Sequence, residues 1–174
     1  IREARDLQKV LTDEAIENAI RQWPKEIFDL HGEEIIKKLK ARREKLVEYS
    51  LNHYYFLAEA VNVVGSNKHE LFDVTYLDNG DLEVVVFKTK KDGEIDKEIY
   101  RRTFVYGVTK EVRLYGLEGN DQFRFNGKSG KHIKVRVIAG KGDDRFSATA
   151  NHKPLVYARP NGIEIEEGSK LKDR

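Results

Sequence analysis

"EVRLYGLEGNDQFRF" (residues 111–125) lies on "KVRVIAGKGDDRFSA" (residues 134–148) at a constant offset of 23 residues. Val112 falls on Val135, Arg113 on Arg136, Leu114 on Val137, Gly119 on Gly142, Asp121 on Asp144 and Phe123 on Phe146. Two copies on one offset, with matching apolar phase, mark an internal repeat. Each copy reads as strand, glycine turn, strand: apolar side chains alternate inward, and the glycine permits the backbone to reverse. "KPLVYARPNGIEIEEG" (153–168) reads as a degenerate third copy with Asn161–Gly162 as its turn, although it does not keep the register. The repeat leaves two arrangements open, a stack of parallel coils or a meander. In a parallel stack equivalent residues sit roughly 5 Å apart. Asp121 and Asp144 would then be like charges in near contact, which requires a cation or several backbone N–H donors. In either arrangement each aspartate is suited to cap its own turn by accepting local N–H bonds.

Working back from the repeat, "HELFDVTYL" (69–77), "DLEVVVFKTK" (81–90) and "EIDKEIYRRTFVY" (94–106) alternate apolar and polar positions and are rich in β-branched and aromatic residues. They are joined by "DNGD" and "KDGE", and Asn79–Gly80 and Asp92–Gly93 are the pairs that type I′ turns favour. A three-stranded antiparallel meander from about 69 to 106 follows. Before residue 62 the period is helical. In "LTDEAIENAIRQW" (11–23), Thr12 is placed to cap a helix whose first turn carries Asp13 and Glu14 and whose apolar stripe includes Ile16, Ala19, Ile20 and Trp23. Pro24 stops that helix and opens a short "PKEIFDL" one. Gly32 is expected to separate this from a long helix at about 33–61, with Ile35, Ile36, Leu39, Leu46, Tyr54, Leu57 and Val61 on one face. Tyr49, Tyr54, Tyr55 and Phe56 read as packing surface.

The expected fold class is therefore α+β. N-terminal helices (1–62, a helical hairpin in the same unit) pack on a mainly antiparallel sheet or meander. The β region (63–174) continues into the short two-copy repeat of 111–148, as a sandwich or a short β-solenoid.

Composition limits the functions to consider. The 174 residues are 39% hydrophobic and 36% charged, with 32 basic and 30 acidic side chains and a net charge of +2. A modest core under a heavily solvated surface is expected, and neither half is one-signed enough for a nucleic-acid footprint. The run "KKLKARREK" (37–45) has Glu33, Glu34, Glu44 and Glu48 on or beside it, and reads as the wet face of a helix. There is no cysteine, hence no disulfide or thiol chemistry. No apolar run approaches the ~20 residues of a membrane-crossing helix. The five histidines, 31, 53, 69, 132 and 152, are scattered, and "HGEEI" lacks the second histidine of H-E-x-x-H. No phosphate loop, G-x-S-x-G elbow or other catalytic motif occurs.

The Gly-x-Asp-x-Phe turns resemble the nonapeptide calcium repeat G-G-x-G-x-D-x-U-x of parallel β-helices. The likeness covers Gly119, Asp121 and Phe123, then Gly140, Gly142, Asp144 and Phe146, with departures at Leu117 and Ala139. It implies calcium as a cofactor with Asp121 and Asp144 as its ligands. Residues 11–158 as a whole, with phrases such as "LTDEAIENAIRQWPKEIFDLHGEEIIKKLKARREKLVEYS" and "KEVRLYGLEGNDQF", are similar to the central region of large Bacteroidetes-type envelope proteins. Those are surface antigens or outer-membrane barrels that often carry a calcineurin-like metallophosphoesterase. The resemblance implies a cell-envelope location, adjacent domains of a longer polypeptide as partners, and no direct membrane insertion by this segment. The start "IREARDLQKV", which reads as the middle of a helix, points to the same excised position.

Three functions are compatible with these features. The first is a non-catalytic structural or interaction module that orients neighbouring domains. The second is a calcium-dependent binding module. The third is a hydrolase acting on carbohydrate or phosphoester, which requires a concave pocket with converging polar groups.

Overall fold

Residues 1–159, 162–169 and 172–173 are described in the computed structural model, so Asn161 of the expected third turn lies outside the described residues. The chain divides into two compact units, Ile1–Phe56 and Leu57–Arg174.

The first unit is helical. It holds α1 (Arg2–Val10), α2 (Asp13–Arg21), α3 (Lys25–Ile27) and α4 (Glu33–Glu44), and α5 (Leu46–Ala58) begins in it. Thr12 caps α2 as the sequence predicts, its hydroxyl accepting the Ala15 N–H at 3.1 Å. A small core forms where Ile16 and Ile20 of α2 meet Ile36 of α4, with Phe28, Ile35 and Leu39 around them. The cations of 37–45 also tie helices together: Lys40 reaches Glu17 at 2.6 Å and Arg43 reaches Asp13 at 2.6 Å. Gly32 does not separate two helices. It closes a π-helical turn, Phe28–Gly32, that runs from α3 into α4. A side chain at Gly32 would collide with the Phe28 ring. The expected 33–61 helix is two helices, broken at Lys45 (φ −93°, ψ 3°). It also ends early, because a strand begins at Ala60. Tyr49, Tyr54, Tyr55 and Phe56 are exposed.

The second unit is a β-solenoid. Its first sheet consists of β1 (Ala60–Val64), β5 (Glu111–Tyr115), β7 (Lys134–Ile138), β9 (Leu155–Tyr157) and β11 (Lys172–Asp173), in that order and all parallel. The second sheet has the order β10-β8-β6-β2-β3-β4, formed by β2 (Glu70–Tyr76), β3 (Leu82–Thr89), β4 (Ile95–Phe104), β6 (Gln122–Gly127), β8 (Asp144–Ala148) and β10 (Ile163–Ile165). The α+β class holds, and β2-β3-β4 is the expected antiparallel meander. Every other pairing between strands of the described residues is parallel, so the β region is not mainly antiparallel. Of the two arrangements open from the sequence, the repeat adopts stacked coils. The degenerate third copy is a coil too, with Arg136 paired to Leu155 and Asp144 to Ile163.

The interior is built by register. Val112 pairs with Val135, and Leu114 with Val63 on one side and Val137 on the other. In the second sheet Phe72, Phe123 and Phe146 form a column, with ring centroids 4.9 Å apart for the first pair and 6.4 Å for the second. All three are at most 1% exposed. Each such ring supplies on the order of 2–3 kcal/mol of transfer free energy, an upper figure given residual burial in the unfolded chain.

The hairpin loops differ from expectation. Gly80 donates its N–H to the Leu77 carbonyl at 2.9 Å while Leu77 bonds Asp81 at 3.0 Å, and Gly93, Lys90 and Glu94 repeat the pattern. Gly80 (φ +93°) and Gly93 (φ +87°) are left-handed, but Asn79 and Asp92 are not. These are three-residue loops, a turn followed by a left-handed glycine, rather than type I′. Asn79 and Asp92 instead use their side-chain oxygens to hold the N–H of Asp81 and Glu94, each at 3.0 Å. That bond suits a residue with negative φ and fixes the longer loop.

Candidate functional site

The two aspartates singled out from the sequence lie at the corner where the chain passes from the first sheet to the second. This corner has one length throughout. Val64 to Leu71, Tyr115 to Gln122, Ile138 to Arg145 and Tyr157 to Glu164 are each seven residues, and these residues pair coil to coil. The opposite corner shortens, from eleven residues between Phe125 and Arg136 to seven between Ala148 and Leu155. That difference is why the third copy loses the 23-residue register.

Where the second-sheet strands begin, Glu70, Asp121 and Asp144 form an inward-facing column, 0%, 1% and 1% exposed. Asp121 Oδ1 accepts the N–H of Glu70 at 2.9 Å, and Asp144 Oδ1 accepts the N–H of Asp121 at 2.9 Å. Each aspartate thus bonds the backbone of the coil before it and not, as expected, its own turn. Parallel stacking is the reason: it brings the equivalent N–H of the neighbouring coil within reach of the carboxyl. Glu70, at the head of the column, turns back to its own corner and accepts from the Ser66 hydroxyl and from the Ser66 N–H at 3.1 Å. Gly116 makes room for this arrangement, since a Cβ there would meet Asp121 Oδ2 and the Ala139 carbonyl.

The second oxygens, Asp121 Oδ2 and Asp144 Oδ2, are buried without a hydrogen-bond partner among the described residues. Burial pushes the Asp121 carboxyl up to about 8, and the charges of Glu70 and Asp144 add to it against the pull of the Glu70 N–H. Burial also raises Asp144, to about 6, helped by Asp143 and opposed by the Asp121 N–H and Arg159. A proton on Asp121 at neutral pH therefore removes the like-charge contact that a parallel stack creates. Among the described residues, no three His, Asp or Glu side chains come together as a metal-holding group.

A second column runs beside the first on the outer side of the corner. His69 Nδ1 accepts the Asn120 N–H at 2.9 Å, and Asn120 Oδ1 accepts the Asp143 N–H at 3.2 Å. These side chains reach forward to the next coil while the buried aspartates reach back. Together they stitch the corner in both directions. Outside it, the tip of the β3–β4 hairpin and the outer column enclose a polar cleft of about 420 Å³. Two of its charged groups pair with each other, Arg145 Nε with Glu164 at 3.1 Å, and Lys90 Nζ is held by Glu94 beside the cleft at 2.6 Å.

One part of this site was not read from the sequence. β1 and β2 form an earlier coil, offset by 51 residues from the coil of β5 and β6, with Ala60 on Glu111 and Leu71 on Gln122. The signal was present in "VNVVGSNKHELFDV" (61–74): Val61, Val63, Gly65, Glu70 and Phe72 fall on Val112, Leu114, Gly116, Asp121 and Phe123. The inserted β3–β4 hairpin lengthens the period and hides it. Comparison with family models, with curated proteins and with solved structures gives no match for this chain.

Proposed function

We propose that this chain is a non-catalytic structural module, a short β-solenoid preceded by a helical unit, that sets the spacing and orientation of neighbouring domains in a larger cell-envelope protein. One observation carries the reading. The side chains that resemble calcium ligands in the sequence, Asp121 and Asp144, hold backbone N–H groups of adjacent coils. His69 and Asn120 do the same on the outer side. Polar groups committed to backbone bonding in this way rigidify a fold and leave few groups for chemistry. The envelope setting rests on the resemblance of residues 11–158 alone.

The test is replacement within the longer polypeptide. A flexible Gly/Ser linker of matching reach should abolish function, and an unrelated rigid solenoid of the same length should restore it. Full function with the flexible linker would overturn the proposal, as would turnover of a glycoside or phosphoester by the isolated chain.

A further inference from the structure

At the opposite corner of the solenoid, a second cavity of about 320 Å³ has a different character. Lys134 and Arg136 of β7 line it together with Lys153, from the turn that leads into β9, and His132, from the turn that leads into β7. Among the described residues, Glu111 is the one carboxylate in the lining, and it is already held by Arg113 Nε at 2.5 Å and Arg136 Nη2 at 3.2 Å. Neither Lys134 nor Lys153 forms a salt bridge among the described residues. Like charges gathered around a concave surface without counter-charges are unfavourable unless an anion joins them. Leu155 and Val135 give the cavity an apolar side.

We propose that this cavity is a binding site for a small molecule bearing a tetrahedral oxyanion, a phosphate or sulfate ester. The donor set selects that shape. A planar carboxylate is best met by the two-pronged arginine fork. Here the two Nη groups of Arg136 are engaged, by Glu111 and by the Tyr157 hydroxyl, each at 3.2 Å, and its Nε is buried away from the cavity surface with no partner among the described residues. What remains are ammonium groups, which act as point charges and approach from two coils, and the His132 ring. That ring is stacked on His152 with centroids 3.9 Å apart, which fixes its plane. The organic part of the ligand would lie against Leu155.

The field at His132 supplies the readout. Its pKa is lowered, first by burial and then by the charges of His152 and Lys134. A bound anion reverses the electrostatic part, so occupancy raises the pKa of His132 and provides a direct readout.

The experiment titrates the whole chain with inorganic phosphate, inorganic sulfate, phenyl phosphate and acetate, following the imidazole resonances of His132 and His152 by NMR across pH. Saturable shifts and an upward move of the His132 pKa are expected with the phosphate and sulfate probes, strongest with phenyl phosphate and weakest with acetate. The double substitution Lys134→Gln and Lys153→Gln should weaken phosphate binding at least tenfold. Lys141→Gln, at the other corner and paired with Glu118, should leave it unchanged. Both lysines are exposed, so an unaltered backbone amide spectrum will confirm that the double variant is folded. Non-saturating shifts, or equal loss in the Lys141→Gln variant, would show general charge screening and overturn the proposal. Preference for acetate would overturn the tetrahedral assignment.

Discussion

Asp144 Oδ1 lies 2.9 Å from the backbone nitrogen of Asp121, the residue at the same corner position one coil earlier. The bond joins side chain to main chain between coils, so it resists sliding of one coil over the next. Asp144→Ala leaves the buried Asp121 N–H without an acceptor, which costs about 1–3 kcal/mol. Asp144→Asn keeps an oxygen in the accepting position and should lie close to the parent. Urea midpoints of the two variants, with m-values unchanged, check the difference.

Stability should fall as pH rises from about 4 to 8. An aspartate in an unfolded chain titrates near 3.9, whereas Asp144 is raised to about 6 and Asp121 to about 8. Over that interval the folded state holds more protons than the unfolded one, so the slope of stability against pH is negative. The contribution is intact below pH 4, lost in part through 6 and fully lost above 8. Thermal midpoints at pH 5 and pH 8.5 measure it. Asp121→Asn, which is neutral at every pH and still accepts the Glu70 N–H, should flatten the profile and raise the midpoint at pH 8.5.

Millimolar calcium should leave the thermal midpoint unchanged. Each aspartate has one oxygen engaged by an N–H and faces the interior of the corner, and a ligand stabilises only if it binds the folded form. A midpoint that climbs with calcium concentration, and ceases to do so in Asp144→Asn, would show that the second oxygens coordinate the ion.

The phenylalanine column makes a separate demand. Phe123 is 1% exposed and stacks on Phe72 with a 17° angle between ring planes. Phe123→Ala should cost about 3–5 kcal/mol, most of the margin of a domain at the low end of ordinary stability. Phe123→Leu, which refills most of the volume, should retain the fold with a lowered midpoint. Calorimetry on the two variants separates these outcomes.

How much of this was legible in the sequence depends on which interaction carried the signal. The 23-residue offset exposed the β5–β6 and β7–β8 coils because side chains alternate identically in both and the glycines recur. The β2-β3-β4 meander was legible because local turn residues report antiparallel pairing. Parallel pairing has no such local mark. The partners of Ala60–Val64 are 51 residues away across an inserted hairpin, and "AVNVV" at the end of an apolar helix reads as more helix. The bonds of Asp121 were invisible for the same reason, since the choice between its own turn and the neighbouring coil is made by stacking. The cationic cavity draws on His132, Lys134, Arg136 and Lys153 from two coils, and nothing in their spacing announces it.

Leu117 and Gly140 occupy equivalent corner positions, and only one of them suits the backbone. Leu117 has φ +76° and is the only described non-glycine residue with positive φ, while Gly140 sits at φ +99°. Left-handed backbone costs a side-chain-bearing residue about 1–2 kcal/mol, and glycine returns part of that through the greater freedom of the unfolded chain, about 0.4–1 kcal/mol. Leu117 is 40% exposed, so little packing is lost with its side chain. Leu117→Gly should therefore raise stability by up to about 1 kcal/mol. The reciprocal change is not tolerated. A Cβ at Gly140 would run into the Leu117 backbone carbonyl of the coil before, so Gly140→Leu adds a steric conflict with main chain to the cost of positive φ. Equilibrium unfolding of the two single variants gives opposite signs if this corner is read correctly, and the same sign if the strain at Leu117 is relieved in solution.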